Sequence, residues 1–246
     1  MSLINIHWPL ADMLFSFHES NVAGKVIVLL LFAGSIYAWT IMVNKYVELR
    51  RASESSLQFL RAFRKHRDPL TLYLREQSFG ASPLFAIYAK ACDALGAELE
   101  TMGHNADELF RTAAETDTNQ LTPHQFEVLR NVTQRNVADR SLLMERRMNI
   151  LATAVNASPF LGLLGTVWGV MEAFTAMALV GQATLSAVAP GIAAALLTTV
   201  MGLLVALPSA IGYNLLSGKI SELQVQTHNF AQELIDKIQT QFLQTR

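Results

Sequence analysis

A stretch of 71 residues with a single charged side chain constrains this sequence more than any other feature. It runs from residue 148 to residue 218, and its one charge is the carboxylate of Glu172. A helix needs about 20 apolar residues to cross the roughly 30 Å hydrocarbon layer of a membrane. The stretch therefore predicts two membrane-spanning helices joined by a short turn. A second uncharged stretch, of 19 residues between Lys25 and Lys45, predicts a third.

These stretches predict an all-α, polytopic membrane protein with three transmembrane helices and long helices that extend into the cytoplasm. Trp8, Phe15 and Phe17 favour an N-terminal segment that is retained and lies in the membrane interface. The predicted segments are an N-terminal periplasmic or interfacial segment (1–23), transmembrane helix 1 (24–44), a cytoplasmic helical region (45–148), transmembrane helix 2 (149–179), a periplasmic turn (180–184), transmembrane helix 3 (185–217) and a cytoplasmic C-terminal helix (218–246).

Lys and Arg side chains are distributed very unequally around the predicted spans. The cations assigned to one side are Lys45, Arg50, Arg51, Arg61, Arg64, Lys65, Arg130, Arg135, Arg140, Arg146, Arg147, Lys219 and Lys237. The opposite side has only Lys25, because the predicted turn carries no charge. Since cytoplasmic loops are enriched in Lys and Arg, we predict a bacterial inner-membrane protein with a periplasmic N-terminus and a cytoplasmic C-terminus.

The composition argues against several classes of function. A net charge of −1 without a basic, aromatic-rich cluster argues against nucleic-acid binding. The sequence has no phosphate-binding loop, nucleophile elbow or Cys/His metal spacing, so we expect no catalytic residue, no metal and no cofactor. The single cysteine, Cys92, is interpreted as a buried or half-buried helix residue. Thr122 followed by Pro123 predicts the start of a long helix that enters the second span.

Small residues recur at helical spacing along the second and third predicted spans. The series in the second span is Gly162, Gly165, Gly169, Glu172 and Ala176, and the series in the third is Gly191, Ala195, Thr198, Gly202, Ala206 and Ser209. Small side chains allow helix backbones to approach closely in lipid. We therefore predict that the glycines of both series are helix-packing residues.

Close packing does not explain the carboxylate of Glu172. A charge at the bilayer centre costs at least about 2.5–3.5 kcal/mol on insertion scales, so such a side chain faces protein or water. Three interpretations stay open: a pore or inter-subunit role, a structural hydrogen bond, or an exposed helix end. Judged by spacing alone, Thr166 and Thr199 are structural, because a threonine hydroxyl can bond a carbonyl of the preceding turn. No inverted repeat is visible, which disfavours a secondary transporter built around Glu172.

The motifs SPFLGLLGTVWGVMEAF (158–174) and QATLSAVAPGIAAALLTTVMGLLVALPSAIGYNLL (182–216) resemble the signature of the TolQ/ExbB/MotA proton-channel family. The resemblance is ungapped over residues 151–217, and it is closest to the TolQ branch, whose complex belongs to the Tol-Pal system. The flagellar MotA branch has four spans and fits less well.

This resemblance implies a subunit of an inner-membrane ion channel driven by the proton motive force. It implies five copies in a homo-oligomeric ring around two copies of a single-span TolR/ExbD-like partner, whose membrane aspartate binds and releases protons. A TolA/TonB-like protein and membrane lipids are further expected partners. Thr166 and Thr199 correspond to polar pore-lining positions of the family, and Glu172 is a third candidate for the proton pathway.

One position departs from the family pattern. The sequence reads PGIAAAL where the family usually reads PGIAEAL, so Ala194 replaces a glutamate, and relatives more often have His or Asn at position 172. Either the membrane carboxylate has moved from the third span to the second, or two substitutions coincide by chance.

Three functions follow as expectations. The leading one is a motor subunit of the Tol-Pal type that supports outer-membrane integrity and cell division. The second is an ExbB-like subunit that energises TonB-dependent uptake through outer-membrane transporters. The third, from a different class, is a membrane scaffold that conducts no ions.

Overall fold

The computed structural model of the chain describes residues 21–66, 68–100, 121–180 and 185–242, and these residues form helices and no strand. The helices are α1 (Val22–Lys65), α2 (Thr71–Leu74), α3 (Pro83–Glu100), α4 (Pro123–Glu145), α5 (Met148–Val180) and α6 (Leu185–Phe242). The all-α prediction is confirmed for this part of the chain. The interfacial segment with Trp8, Phe15 and Phe17, and the turn after Val180, lie outside the described residues.

Three helical stretches are long and apolar enough to cross a membrane, which confirms the number of spans expected. They lie within Val22–Lys65, Pro123–Leu179 and Val188–Phe242. Helices α1 and α6 contain 44 and 58 residues, more than twice the length of about 20 residues that a bilayer requires. Their polar ends therefore continue as helix beyond any single crossing. The membrane boundaries and the side on which each end lies stay predictions.

Helix α4 begins where the Thr122-Pro123 pair predicts. Thr122 has an extended backbone (φ −69°, ψ 153°), and its hydroxyl accepts a hydrogen bond from the Gln125 backbone N–H at 3.4 Å. In return, the Gln125 side chain accepts one from the Thr122 backbone N–H at 3.1 Å. This reciprocal capping box satisfies two backbone donors at the helix start, and such a cap is typically worth about 1 kcal/mol.

The long helix predicted from residue 123 into the second span is broken just before the span. Helix α4 ends at Glu145 and α5 begins at Met148. Arg146 is extended (ψ 133°), and Arg147 lies in the left-handed region (φ 71°). The freed carbonyl of Leu143 accepts from the Arg146 backbone N–H at 3.3 Å and lies 3.5 Å from the Lys45 ammonium nitrogen. Neither residue of the break is glycine or proline, so the sequence carries no signal for it.

The chain divides into two compact units. The first, called here the span unit, comprises residues 1–44 and 147–215, and the second, the aromatic unit, comprises residues 45–146 and 216–246. The core of the aromatic unit surrounds Phe59, which is fully buried. Its ring centroid lies 5.2–5.9 Å from those of five other rings, several of them edge-on, an arrangement that aromatic pairs favour. These rings belong to Phe63, Phe79, Phe85, Tyr88 and Phe230.

The aromatic unit also contains Cys92, on α3. It is fully buried, as the sequence predicts for a small helix residue. Burial raises the pKa of its thiol and also raises the pKa of the neighbouring Tyr88 hydroxyl. Tyr88 donates to the Pro69 carbonyl at 2.7 Å and accepts from the Tyr73 backbone N–H at 2.9 Å. The Tyr88 hydroxyl therefore has both an acceptor and a donor partner inside the core, as buried polar groups usually do.

The span unit has the opposite distribution of apolar side chains. A small core joins Ile27 and Leu31 of α1 to Val205 of α6. Many large apolar side chains of α5 and α6 face outward, and Phe160 is 71% exposed. Such an apolar exterior is expected where lipid or further protein replaces water as the neighbour.

Candidate functional site

The backbones of helices α5 and α6 are in close contact at Gly162 and Gly202. A Cβ atom at Gly202 would lie 2.6 Å from the Ser158 carbonyl oxygen and 3.2 Å from the Gly162 Cα, and one at Gly162 would lie 2.8 Å from the Thr198 carbonyl oxygen. The obstructing atoms are backbone and cannot rotate away. Glycine at these two positions is therefore what permits the contact between the helices.

The other three glycines predicted as packing residues lie along the same contact. A Cβ at Gly165 would overlap the Thr198 side chain, and one at Gly169 would lie 2.7 Å from the Ala195 Cβ. At Gly191 the nearest atom, 3.1 Å away, is the Ala173 Cβ.

One further glycine contact escaped the sequence analysis. A Cβ at Gly212 of α6 would overlap the outer atoms of the Met42 side chain of α1, which would have to move to accommodate it. Gly212 follows the last member of the α6 series, Ser209, by three residues, but helical spacing does not show that its neighbour is α1 rather than α5.

Three threonines and one backbone carbonyl meet beside this contact, and we call Thr166, Thr198, Thr199 and the Gly162 carbonyl the hydroxyl cluster. Thr199 donates to the Gly162 carbonyl oxygen at 3.1 Å, and its Oγ1 lies 3.5 Å from the Thr166 Oγ1. Thr166 donates to the Leu163 carbonyl at 2.7 Å within its own helix. The two threonines that the resemblance assigns to the pore therefore lie side by side, one from each helix.

The cluster has a buried side and a more open side. Thr198 is fully buried, whereas Thr166 and Thr199 are half-buried. A hydroxyl donates one hydrogen bond and can accept two. Thr166 and Thr199 therefore keep acceptor capacity for water or a carboxyl group on the open side. The sequence analysis placed Thr198 only in the packing series and missed its place in this cluster.

Glu172 is not part of the hydroxyl cluster. It lies six residues after Thr166 on α5, about 9 Å along the helix axis, and its side chain is exposed. Its carboxylate accepts a hydrogen bond from the side-chain amide of Asn21. The Asn21 side-chain oxygen accepts from the Gly24 backbone N–H at 2.6 Å, the usual geometry of a helix N-cap. Glu172 is thus bonded to the residue that caps the first helix.

A cavity of about 330 Å³ joins Glu172 to the position where the sequence departs from the family pattern. Asn21, Glu172 and Ala194 all line it, together with glycines and alanines of α5 and α6. Ala194 is only 2% exposed. A carboxylate at position 172 and one at position 194 would therefore both border this cavity, a juxtaposition that the sequence alone does not reveal.

Comparisons with known proteins support the resemblance identified from the motifs. The family model described as the MotA/TolQ/ExbB proton channel family matches residues 102–229, more than half of the chain. The chain is 29% identical over 222 residues to the Tol-Pal system protein TolQ of Haemophilus influenzae, with 88% of this chain and 89% of the relative covered. It is also 29% identical over 215 residues to TolQ of Pseudomonas aeruginosa, with 87% of each covered.

A transport protein of the same family is as similar. The chain is 29% identical over 220 residues to the biopolymer transport protein ExbB of Salmonella typhimurium, with 89% of this chain and 83% of the relative covered. Overall identity therefore does not separate the two branches.

Proposed function

Because the chain belongs to the MotA/TolQ/ExbB proton channel family, we propose that it is the channel subunit of a TolQ–TolR-type complex. In this proposal the complex converts the proton motive force into mechanical work on the cell envelope and so supports outer-membrane integrity and cell division. The chain is a multi-pass membrane protein, and we place its N-terminus in the periplasm and its C-terminus in the cytoplasm. The proposal assigns it no catalytic step and no cofactor.

The observation that carries the proposal is the pairing of Thr166 with Thr199. Two hydroxyls from different helices lie 3.5 Å apart on the open side of an otherwise apolar helix contact. A proton crossing a membrane needs hydrogen-bonding groups, because apolar side chains cannot replace its hydration. The pair offers such groups at the positions where the family resemblance expects the pore lining.

The remaining proton acceptors have to come from Glu172 and from another protein. Glu172 is the only acidic residue between residues 148 and 218. This scarcity supports a single-span TolR/ExbD-like partner that contributes a membrane aspartate. The exposed apolar faces of α5 and α6 support self-association into a pentameric ring around that partner, with lipid outside. A TolA/TonB-like protein would receive the motion.

An ExbB-type role is the second candidate, and its support is the equal identity to ExbB of Salmonella typhimurium. In that role the same channel would energise TonB-dependent uptake across the outer membrane. Affinity purification from native membranes, followed by mass spectrometry, distinguishes the two. A TolR-like and a TolA-like partner support the Tol-type role, whereas an ExbD-like and a TonB-like partner overturn it in favour of the ExbB type.

A scaffold that conducts no ions is the alternative from another class, and Thr199→Val separates it from a channel. Valine keeps the volume and branching of threonine and removes the hydroxyl. In the host bacterium we expect this variant to reach normal membrane levels, to retain its partner and to lose resistance of the outer membrane to detergent. Thr175→Val is the matched control, since Thr175 is exposed and donates to the Met171 carbonyl of its own helix at 2.9 Å. Full resistance in the Thr199 variant would support the scaffold.

A further inference from the structure

The buried Thr198 hydroxyl does more than fill the contact between α5 and α6. We infer that Thr198 is a positioning residue, an inference that rests on the proposed channel function. Its hydroxyl competes with that of Thr199 for the Gly162 carbonyl, and this leaves the Thr199 hydroxyl free to donate to a group in the pore.

The bonding of Thr198 differs from that of other buried hydroxyls in the described part of the span unit. Ser158 donates to Ala154 at 2.6 Å and Ser209 donates to Val205 at 2.8 Å, each within its own helix. Thr198 Oγ1 lies 2.7 Å from the Ala195 carbonyl oxygen of its own helix and also 3.0 Å from the Gly162 carbonyl oxygen of α5. Its single proton is therefore shared between the two helices.

Gly165 provides an independent sign that this hydroxyl has a defined place. All three atoms nearest to a Cβ built at Gly165 belong to the Thr198 side chain, whereas the obstruction at Gly162 and Gly202 is backbone. Glycine at position 165 thus makes room for the Thr198 side chain in particular.

The shared acceptor links Thr198 to Thr199. The Gly162 carbonyl lies within hydrogen-bond distance of both hydroxyls, at 3.0 Å and 3.1 Å, and in an α-helix it also serves the backbone ladder. Because a carbonyl oxygen has two lone pairs, the donors compete for it. Competition leaves the Thr199 proton free to turn toward Thr166 Oγ1, 3.5 Å away, or toward a group on the open side. Without the Thr198 hydroxyl, the Thr199 proton becomes the only side-chain donor to Gly162 and stays there.

The test measures proton flux through the complex, purified with its partner from membranes and reconstituted into liposomes under an imposed pH gradient. The variants are Thr198→Val, Thr198→Ser, Thr199→Val and the double variant. We expect Thr198→Val to reduce the flux per assembled complex about fivefold, the effect of one hydrogen bond, and Thr198→Ser to retain it. In the Thr199→Val background, Thr198→Val should reduce the flux no further, because two residues that act through one shared acceptor are not expected to have additive effects.

The outcomes separate this inference from the proposed channel. A wild-type flux in Thr198→Val, or a double variant that conducts less than Thr199→Val alone, overturns the positioning role and leaves the channel in place. A wild-type complex that dissipates the gradient no faster than protein-free liposomes overturns the channel itself, whereas an undiminished flux in Thr199→Val overturns the proton pathway through the hydroxyl cluster. If Thr198→Val does not assemble, Thr198→Ala provides the same comparison, since it removes the hydroxyl and adds no atom. Failure of both to assemble would show that the hydroxyl serves assembly, and that too overturns the inference.

Discussion

Replacing Gly202 by alanine tests the close contact between α5 and α6 and its link to the hydroxyl cluster. The new Cβ would lie 2.6 Å from the Ser158 carbonyl oxygen, and an ordinary contact needs about 3.4 Å. The helices must therefore separate locally by about 0.8 Å. The same shift lengthens the 3.1 Å bond between Thr199 and the Gly162 carbonyl by up to about 0.8 Å, enough to weaken or break it.

Two opposing effects determine how Gly202→Ala changes the free energy of unfolding. Overpacking a close contact costs about 1–3 kcal/mol, and a backbone obstruction favours the upper part of that range. Alanine is about 1 kcal/mol better than glycine inside a helix. The variant should therefore lose about 1–2 kcal/mol of unfolding free energy. For a chain of this size, that loss corresponds to a fall in unfolding temperature of about 2–8 °C.

Gly34→Ala is the matched control for this variant. Gly34 also lies in an apolar helix, α1, but a Cβ there has nothing within 4 Å. We expect Gly34→Ala to leave the unfolding temperature unchanged or slightly raised and to leave proton flux unchanged. Thermal unfolding in detergent and flux in liposomes measure the two effects. If Gly202→Ala unfolds and conducts as Gly34→Ala does, the proposed backbone contact between α5 and α6 is refuted.

Three further predictions concern other parts of the molecule. Glu172→Gln should reduce outer-membrane resistance to detergent without reducing membrane levels of the protein, and adding Ala194→Glu should restore part of it, because both positions line one cavity. Phe59→Ala should destabilise the aromatic unit by about 3–5 kcal/mol, as measured by chemical unfolding, because a fully buried ring is lost. Cys92 should react with maleimide only after unfolding, because the thiol is buried and its raised pKa keeps it protonated.

Each of these predictions has its own control. Equal detergent resistance in Glu172→Gln and the wild type would return Glu172 to a purely structural role as the partner of Asn21. Leu57→Ala removes a half-exposed side chain of the same helix as Phe59. If Leu57→Ala and Phe59→Ala lower the free energy of unfolding equally, the core is not centred on Phe59. Complete labelling of Cys92 in the native protein, at the rate of a cysteine introduced at the exposed Gln58, would show that the aromatic unit opens readily.

Much of the fold can be predicted from the sequence, because a membrane imposes strict requirements. Uncharged stretches of sufficient length predict the three spans, and the Thr122-Pro123 pair predicts the start of α4. Glycines at regular helical spacing predict the contact between α5 and α6. Each of these features depends on residues that are close in sequence or that recur at helical spacing, so it can be recognised from a single sequence.

The remaining features depend on which atoms meet in three dimensions. Thr198 and Thr199 are adjacent in sequence, yet one is buried against α5 and the other is half-buried beside Thr166. The bond between Asn21 and Glu172 joins residues 151 positions apart. The left-handed backbone at Arg147 involves a residue type that usually continues a helix. Helical spacing identifies none of these, because each depends on the neighbouring element.

Proton flux through the purified complex in liposomes tests the proposed function most directly. The wild-type complex should dissipate an imposed pH gradient faster than protein-free liposomes do, and Thr199→Val should abolish most of that difference while assembly and partner content stay unchanged. Thr199→Ser, which keeps the hydroxyl, should conduct close to the wild-type rate. A Thr199→Val complex that conducts as fast as the wild type would contradict a proton pathway through the hydroxyl cluster.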